Sequence, residues 1–179
     1  FMQRHSFATI ITPTSAGLFC SHLPVLLQPH SGSLGVLQGH FARANPHSDV
    51  SPADSTLCVF QGPHAYISPG WVSVHVRGAL TLHDDPDWLR QLFARMIDQH
   101  EATQPEPWPL AGLEPRYLEQ LTRSTVGFEI AIEQLDGKWK LSQNHSVERR
   151  QQIIAGLYST RTATGEQLAE LMQATCEET

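Results

Sequence analysis

The sequence predicts a mainly β protein with flanking helices, built as a small closed barrel. Three observations carry this prediction. The first half of the chain consists of short segments rich in β-branched residues, and glycine, proline or serine bounds them. Residues 72–82 alternate apolar and polar side chains with the period of two that is typical of a half-buried strand. After Asp85 the apolar residues recur at helical spacing instead.

The strands are expected to form an antiparallel meander, because loops of hairpin length separate them. Pro24 cannot take a central ladder position, so its strand is expected at an edge or at a bulge. The pair Gly62-Pro63 predicts a break, and Gly78 predicts a bulge or bend. The predicted strands of the first half cover residues 7–12, 18–27, 34–41, 56–61, 65–68 and 72–82.

Helices follow these strands. Asp85 is a suitable N-cap, and Pro86 falls at the first helical position, where its missing N–H costs nothing. Residues 105–109 are predicted as a loop, and Pro115 opens a second short helix. Residues 126–135 alternate again and predict a further strand, after which helices are expected at residues 147–158 and 164–174. We therefore divide the chain into a barrel domain (1–145), with a helical insertion at about 85–123, and a C-terminal helical tail (146–179).

Charge and composition narrow the possible partners. The 179 residues include 12 Lys+Arg and 18 Asp+Glu, which gives a net charge of −6. Proteins that grip nucleic acid or anionic membranes need a concentrated basic face, so both partners are disfavoured. No apolar run approaches the roughly 20 residues that cross a bilayer. We expect a cytoplasmic protein.

Cysteines and histidines predict no metal site. Cys20, Cys58 and Cys176 are odd in number and far apart, which supports neither a disulfide framework nor a thiolate zinc site. Cys20 and Cys58 lie in apolar runs and are expected to be buried. There are 10 histidines, but no two share a predicted helix at the spacing of a zinc site. Dinucleotide, P-loop and nucleophile-elbow signatures are also absent from the sequence.

Two polar patches are candidates for ligand binding. The chain has only two lysines, Lys138 and Lys140, and they flank Trp139. Their ammonium groups and the indole could hold an anionic aromatic ligand, or they could form a solvated strand end with Trp139 in the core. Arg43 leaves a predicted strand just before a turn, where it could bind a phosphate or only cap the segment. Ser21 and His22 lie on the strand that Pro24 distorts.

Together these segments resemble the PaiB family of FMN-binding negative transcriptional regulators. The resemblance rests on Ser21-His-Leu-Pro24, Gly39-His-Phe-Ala-Arg-Ala-Asn-Pro46, Phe60-Gln-Gly-Pro-His-Ala-Tyr-Ile-Ser-Pro69 with Trp71, Val126-Gly-Phe-Glu129 and Lys138-Trp-Lys-Leu-Ser-Gln-Asn144. It covers nearly the whole chain in order. It implies the FMN-binding split β-barrel shared with flavin reductases and pyridoxamine-phosphate oxidases, usually a homodimer with flavin at the subunit interface.

The resemblance also implies where FMN binds. The strand with Ser21 and His22 and the turn from His40 to Asn45 are expected to meet the flavin and its phosphate. The segment from Lys138 to Gln143 is expected to approach the same cleft from the partner subunit. The cofactor-binding residues that we predict are Ser21, His22, His40, Arg43, Asn45, Ser68, Trp71, Lys138, Lys140 and Gln143.

The sequence departs from the family pattern at one place. In the family, the tryptophan that follows the H-A-Y-I-S-P segment precedes a tyrosine, a lysine-containing loop and a V-P-T-W-N-Y stretch. Here Trp71 runs straight into Val72. We predict that a mobile loop is missing from the sequence at this point. A continuous chain through both residues would contradict this and would mean a deletion.

Three functions compete at this point. The first is an FMN-binding transcriptional regulator that represses through flavin or redox sensing, with a DNA or protein partner; the net charge weighs against direct DNA contact. The second is a flavin-dependent NAD(P)H reductase or oxidase. The third is a haem-binding split-barrel protein. No catalytic acid–base constellation is visible in the sequence, so a non-enzymatic function is favoured over an enzyme.

Overall fold

The computed structural model describes residues 1–50, 55–66, 70–102, 104–106 and 114–177. In these ranges the chain forms seven strands and four α-helices. The strands are β1 (Phe7–Thr14), β2 (Gly17–Pro24), β3 (Leu26–Gln28), β4 (Val36–Ala42), β5 (Ser55–Ala65), β6 (Gly70–His83) and β7 (Thr125–Lys140). The helices are α1 (Pro86–Glu101), α2 (Pro115–Ser124), α3 (Val147–Ser159) and α4 (Ala163–Glu177). A single 3₁₀ turn, Pro46–Asp49, follows β4.

The sheet is antiparallel and open, and its two edge strands follow one another in the chain. Its strand order is β2-β1-β5-β6-β7-β4-β3, so β2 and β3 lie at opposite ends. Only Val25 separates these two strands in the chain, and its backbone N–H donates to Ser6 O at 2.9 Å. The ends of the sheet must therefore come together, and we call this junction the seam. The sheet is a barrel split at the seam, which confirms the predicted mainly β fold with flanking helices.

Two compact units divide the chain, one of residues 1–59 and 76–135, the other of residues 60–75 and 136–179. The first unit holds β1 to β4, α1, α2 and the larger part of the sheet. The second unit holds α3 and α4. The domain boundary at residue 145 stays a prediction, since the unit with the tail helices also includes residues 60–75 and 136–146.

The core of the first unit includes one face of β1 and the buried face of α1. Ala8, Ile10 and Thr12 of β1 alternate with exposed or half-buried neighbours and are fully buried, as the period of a strand requires. Asp85 caps α1 by accepting hydrogen bonds from the backbone N–H groups of Asp87 and Trp88, as predicted. Leu92 and Met96 of α1 form a cluster with Leu26 of β3.

Several predicted strand boundaries are wrong. The segment 18–27 is two strands, β2 and β3, because the chain crosses the seam at Val25. β5 runs through Gly62 and Pro63 without the predicted break. Of the predicted strand 65–68, residues 67 and 68 lie outside the described residues, as do residues 107–109 of the predicted loop. β6 continues through Trp71 and Val72, which contradicts the missing loop and leaves a deletion relative to the family pattern.

Gly78 marks a close approach of two strands. A Cβ atom at this position would lie 1.9 Å from the carbonyl oxygen of Ala131 in β7, so a side chain cannot be accommodated there. Pro24 is the last residue of β2, an edge strand, as predicted. Among the residues that the structure describes, no helix combines the length and apolar character needed to span a membrane.

The second unit packs α3 against α4 through Ile153, Leu157, Leu168 and Met172. Arg150 of α3 is 5% exposed, and its Nη2 donates to Met172 O at 3.2 Å and to Thr175 Oγ1 at 2.5 Å. The pair Arg149-Arg150 is therefore split between solvent and core, and only Arg149 is exposed.

Candidate functional site

Ser21, Asn45 and His47 form a hydrogen-bonded cluster across the seam. Ser21 lies on β2, whereas Asn45 and His47 follow β4. Asn45 Nδ2 donates to Ser21 Oγ at 3.0 Å, and Ser21 Oγ lies 2.7 Å from His47 Nδ1. Asn45 Oδ1 accepts the backbone N–H of His47 at 2.9 Å and so caps the 3₁₀ turn. The structure thus brings together two predicted ligand residues, Ser21 and Asn45.

His47 is fully buried and packs between aromatic rings. Its ring stacks on Phe41 of β4 at 5.0 Å and meets the edge of Phe19 of β2 at 4.8 Å. Burial lowers the pKa of His47 and favours the neutral ring. Asn45 Nδ2 and His47 Nδ1 both lie within hydrogen-bond distance of Ser21 Oγ, and His47 Nε2 has no partner among the described residues.

Arg43 lies at the turn after β4 and is tied to the junction of α2 and β7. Its Nε donates to Arg123 O and its Nη2 to Thr125 O, each at 2.8 Å. Its backbone N–H donates to Ser124 O at 2.8 Å. The guanidinium is therefore fixed by backbone carbonyl groups and forms a prearranged cation.

Asp84, which follows β6, occupies the outer edge of this guanidinium. Arg43 Nη1 donates to Asp84 Oδ2 at 3.2 Å, and Nη2 donates to Oδ1. The hydrogen bond from Arg43 lowers the pKa of Asp84, and Asp84 raises the pKa of Arg43. Both side chains are exposed, at 44% for Arg43 and 67% for Asp84.

His40 and His22 do not join the seam cluster. Neighbouring strand residues point to opposite faces, so His40 lies on the other side of β4 from Phe41 and His47. His40 packs edge-on against Phe93 of α1 at 5.4 Å, and burial lowers its pKa. Its Nδ1 has no hydrogen-bond partner within the described ranges. His22 is exposed on β2, opposite Thr9 of β1.

The remaining predicted ligands belong to the second unit. Lys138 and Lys140 are exposed on the end of β7, and Trp139 between them is 39% exposed and folds over Gly137. Trp139 is therefore not a core residue. The alternative interpretation, a solvated strand end with Trp139 in the core, is wrong in this respect. Gln143 closes the following turn: its Oε1 accepts Leu141 N–H at 2.8 Å and its Nε2 donates to Trp139 O at 2.6 Å.

Trp71 is the second residue of β6 and is 37% exposed. Ser68 lies outside the described residues. Among the described residues no group of His, Cys, Asp or Glu side chains could hold a metal ion.

Sequence reasoning missed two residues of the first unit, His47 and Asp84. The signal for His47 was present, because Asn45-Pro46 is the pattern of a cap followed by proline at the first helical position. That pattern assigns the Asn45 side chain to a turn and brings His47 back towards β2. Nothing in the local sequence pairs Asp84 with Arg43, which lies 41 residues away.

Solved structures with the same fold define the class of the protein. A conserved hypothetical protein of Mycobacterium tuberculosis matches 78% of this chain and 80% of its own, with a TM-score of 0.57 and 11% identity. The flavocytochrome Anf3 of Azotobacter vinelandii matches 82% of this chain and 67% of its own, with a TM-score of 0.55 and 12% identity. The protein has the split-barrel fold of flavin-binding proteins.

Sequence comparison then gives the family. Residues 1–134 match the family described as "Putative FMN-binding domain". The protease synthase and sporulation protein PAI 2 of Bacillus subtilis is 31% identical over 185 residues, which cover 97% of this chain and 88% of that protein. The chain belongs to the PaiB family of FMN-binding domains, and the predicted cofactor, FMN, is confirmed at the level of the family.

The donor set of the first unit fits FMN chemically. Arg43 supplies a fixed fork that matches a phosphate group, at the cost of its contact with Asp84. Asn45 Nδ2 has a second N–H beyond the one given to Ser21, and His22 is exposed. These groups are of the kinds that hold a phosphate and the edge of a polar ring.

Proposed function

We propose that this protein is a homodimeric, cytoplasmic FMN-binding regulator of gene expression that responds to the presence or redox state of its flavin. One observation carries the proposal, the match to PAI 2 along almost the whole chain. The name of that relative refers to protease synthesis and sporulation, and a role in the control of gene expression accounts for both words.

In this proposal the first unit holds the phosphate end of FMN. Arg43 binds the phosphate, and Asn45 and His22 donate to polar atoms of the ribityl chain or ring. Ser21 and His47 position Asn45 by hydrogen bonds across the seam. His40, Ser68, Trp71 and Gln143 stay predicted contacts, and Lys138 and Lys140 approach from the partner subunit. The bound flavin supplies the capacity to accept and release electrons.

Charge supports a regulator that acts through another protein. The net charge of −6 opposes a phosphate backbone, and the tail helix that carries Arg149 has its second arginine buried. All three cysteines are free thiols, which suits a reducing compartment such as the cytoplasm. We therefore propose a protein partner whose binding depends on flavin.

The test is a titration of the flavin-free protein with FMN and with riboflavin, followed by flavin fluorescence. We expect about one FMN per subunit, and Arg43→Ala and Lys140→Ala should weaken FMN more than riboflavin because riboflavin lacks the phosphate. The control is Arg149→Ala, which removes an exposed arginine of α3. Absence of FMN binding refutes the proposal, and equal weakening of both flavins refutes the phosphate contacts.

Two assays separate the competing functions. A flavin-dependent reductase would oxidise NAD(P)H faster than the same concentration of free FMN, whereas we expect no excess over free FMN. A haem protein would give a Soret band on titration with haem that disappears when the ligand histidine is replaced. His40, with its unpartnered Nδ1 among the described residues, is the first histidine to replace in that control.

A further inference from the structure

We infer that Asp84 is a specificity-determining residue of the flavin site: its carboxylate occupies the guanidinium fork of Arg43 and competes there with the phosphate monoester of FMN. This inference rests on the function proposed above. It assigns Asp84 a part in setting the preference for FMN over flavins without a phosphate, because competition at Arg43 weakens FMN and leaves such flavins unaffected.

The first step is that Arg43 does not need Asp84 to keep its position. The carbonyl groups of Arg123 and Thr125 hold two nitrogens of its guanidinium, and Ser124 O holds its backbone N–H. These three bonds tie the residue to the junction of α2 and β7. When the carboxylate leaves, the fork stays in place and its outer edge becomes available to another anion.

The second step is that Asp84 is easily displaced. Its side chain is 67% exposed, so water and salt screen its attraction to Arg43. Asp84 lies after the last residue of β6, and its side chain can rotate into solvent without a change in the strand. A carboxylate and a phosphate both match the guanidinium fork with two parallel hydrogen bonds, and the phosphate carries more charge. A bound phosphate can therefore take the place of the Asp84 carboxylate and form the same two hydrogen bonds with Arg43.

The third step is that the neighbouring charges are already paired. Asp85 accepts two backbone N–H groups at the start of α1, at 2.7 and 2.9 Å. Asp87 pairs with Arg90 at 2.5 Å, in the same helical turn. Arg123 pairs with Glu119 at 2.9 Å. Asp84 is thus the acid at this junction whose partner is Arg43.

The experiment compares Asp84→Asn with Asp87→Asn. Both variants remove one negative charge from the same short stretch, but only the first removes a carboxylate from the fork of Arg43. Dissociation constants for FMN and riboflavin are measured by flavin fluorescence in phosphate-free buffer of constant ionic strength. For Asp84→Asn we expect FMN to bind roughly three- to five-fold more tightly, the range that corresponds to losing a weak competing ion pair. Riboflavin should be unaffected, and Asp87→Asn should change neither flavin.

A second variant tests the route of the effect. In an Arg43→Gln background, Asp84→Asn should give no gain for FMN, because the fork that both anions share is absent. Thermal unfolding of each variant checks that the fold is kept. Equal gains for Asp84→Asn and Asp87→Asn, a gain for riboflavin as well, or unchanged or weaker FMN binding in Asp84→Asn would each overturn the inference. If the unaltered protein binds FMN in that last case, the proposed function survives. If it binds neither flavin, both fail.

Discussion

At the scale of single residues, His47 couples the stability of the seam to pH. Its ring is buried between Phe19 and Phe41, and its Nδ1 lies 2.7 Å from Ser21 Oγ. Burial lowers its pKa below the ordinary value of 6.5, so the folded protein holds this ring neutral more strongly than the unfolded chain does. The unfolded state then binds more protons, and stability must rise with pH.

The expected pH profile follows from this sign. The contribution of His47 is complete above pH 6.5 and is lost as the pH falls through its lower folded value. His47→Phe keeps an aromatic ring but removes the titration. The slope of unfolding free energy against pH, measured with urea below pH 6.5, should decrease in this variant by up to about 1.4 kcal/mol per pH unit.

A second buried histidine gives a comparison. His40 is also buried with a lowered pKa, so His40→Phe should remove a separate share of the slope. If the unfolding free energy of His47→Phe depends on pH as that of the unaltered protein does, the titration of His47 does not contribute to the pH dependence of stability.

The cysteines differ in accessibility in a way that corrects the sequence-based expectation. Cys58 is buried, and burial raises the pKa of its thiol to about 12, whereas Cys20 is exposed on β2. The thiolate is the reactive form, so iodoacetamide should modify Cys20 in the folded protein and spare Cys58 until the protein unfolds. Mass spectrometry after native labelling measures both sites. Modification of Cys58 at the rate of Cys20 would contradict the burial of β5.

At the scale of elements, the contact between α1 and β7 depends on Gly127. A Cβ atom there would lie 2.2 Å from Cζ3 of Trp88 and 3.1 Å from Leu89 Cδ2. Gly127→Ala should therefore destabilise the protein by about 1–3 kcal/mol, as overpacking of a core does. Trp88→Phe removes the part of the ring that collides. The double variant should be less destabilised in urea unfolding than the sum of the single variants, and simple additivity would contradict the contact.

The elements that carry their own local signals were predictable. Asp85 and Pro86 set the start of α1, and the apolar spacing set its buried face. The break at Gly62-Pro63 was wrong because its cause is not local. β5 is hydrogen-bonded between β1 and β6, so its continuation through Gly62 and Pro63 depends on strands that are distant in the sequence.

The candidate site was predictable only in part, for a similar reason. Residues 21, 43 and 45 could be selected from the sequence because they are polar side chains on or beside a predicted strand end, where ligand-binding residues are often found. Their partners come from distant segments, Asp84 and the junction of α2 and β7 for Arg43, and β2 for the turn after β4. A single sequence carries no record of such pairings. For the same reason Arg150 could not be separated from Arg149, although one is buried against α4 and the other is exposed.

At the scale of the whole molecule, the proposed homodimer makes a claim about which subunit supplies each cation. If the flavin lies at the subunit interface, Arg43 of one subunit and Lys140 of the other serve one site. Each symmetric dimer then has two such sites, and each site draws on both chains. A site shared by two subunits can be distinguished from a site within one subunit, because mixed dimers redistribute the two cations between the sites.

The decisive measurement mixes the variants Arg43→Ala and Lys140→Ala, each of which should bind FMN poorly. After subunit exchange about half of the dimers are mixed, and each mixed dimer has one site with both cations and one site with neither. About a quarter of all sites should therefore regain FMN affinity, measured by fluorescence titration with sedimentation velocity to follow the dimer. A site within one subunit regains nothing, since every chain in the mixture lacks one cation. Recovery must also depend on exchange: covalently cross-linked parent dimers, mixed in the same way, should stay inactive in binding.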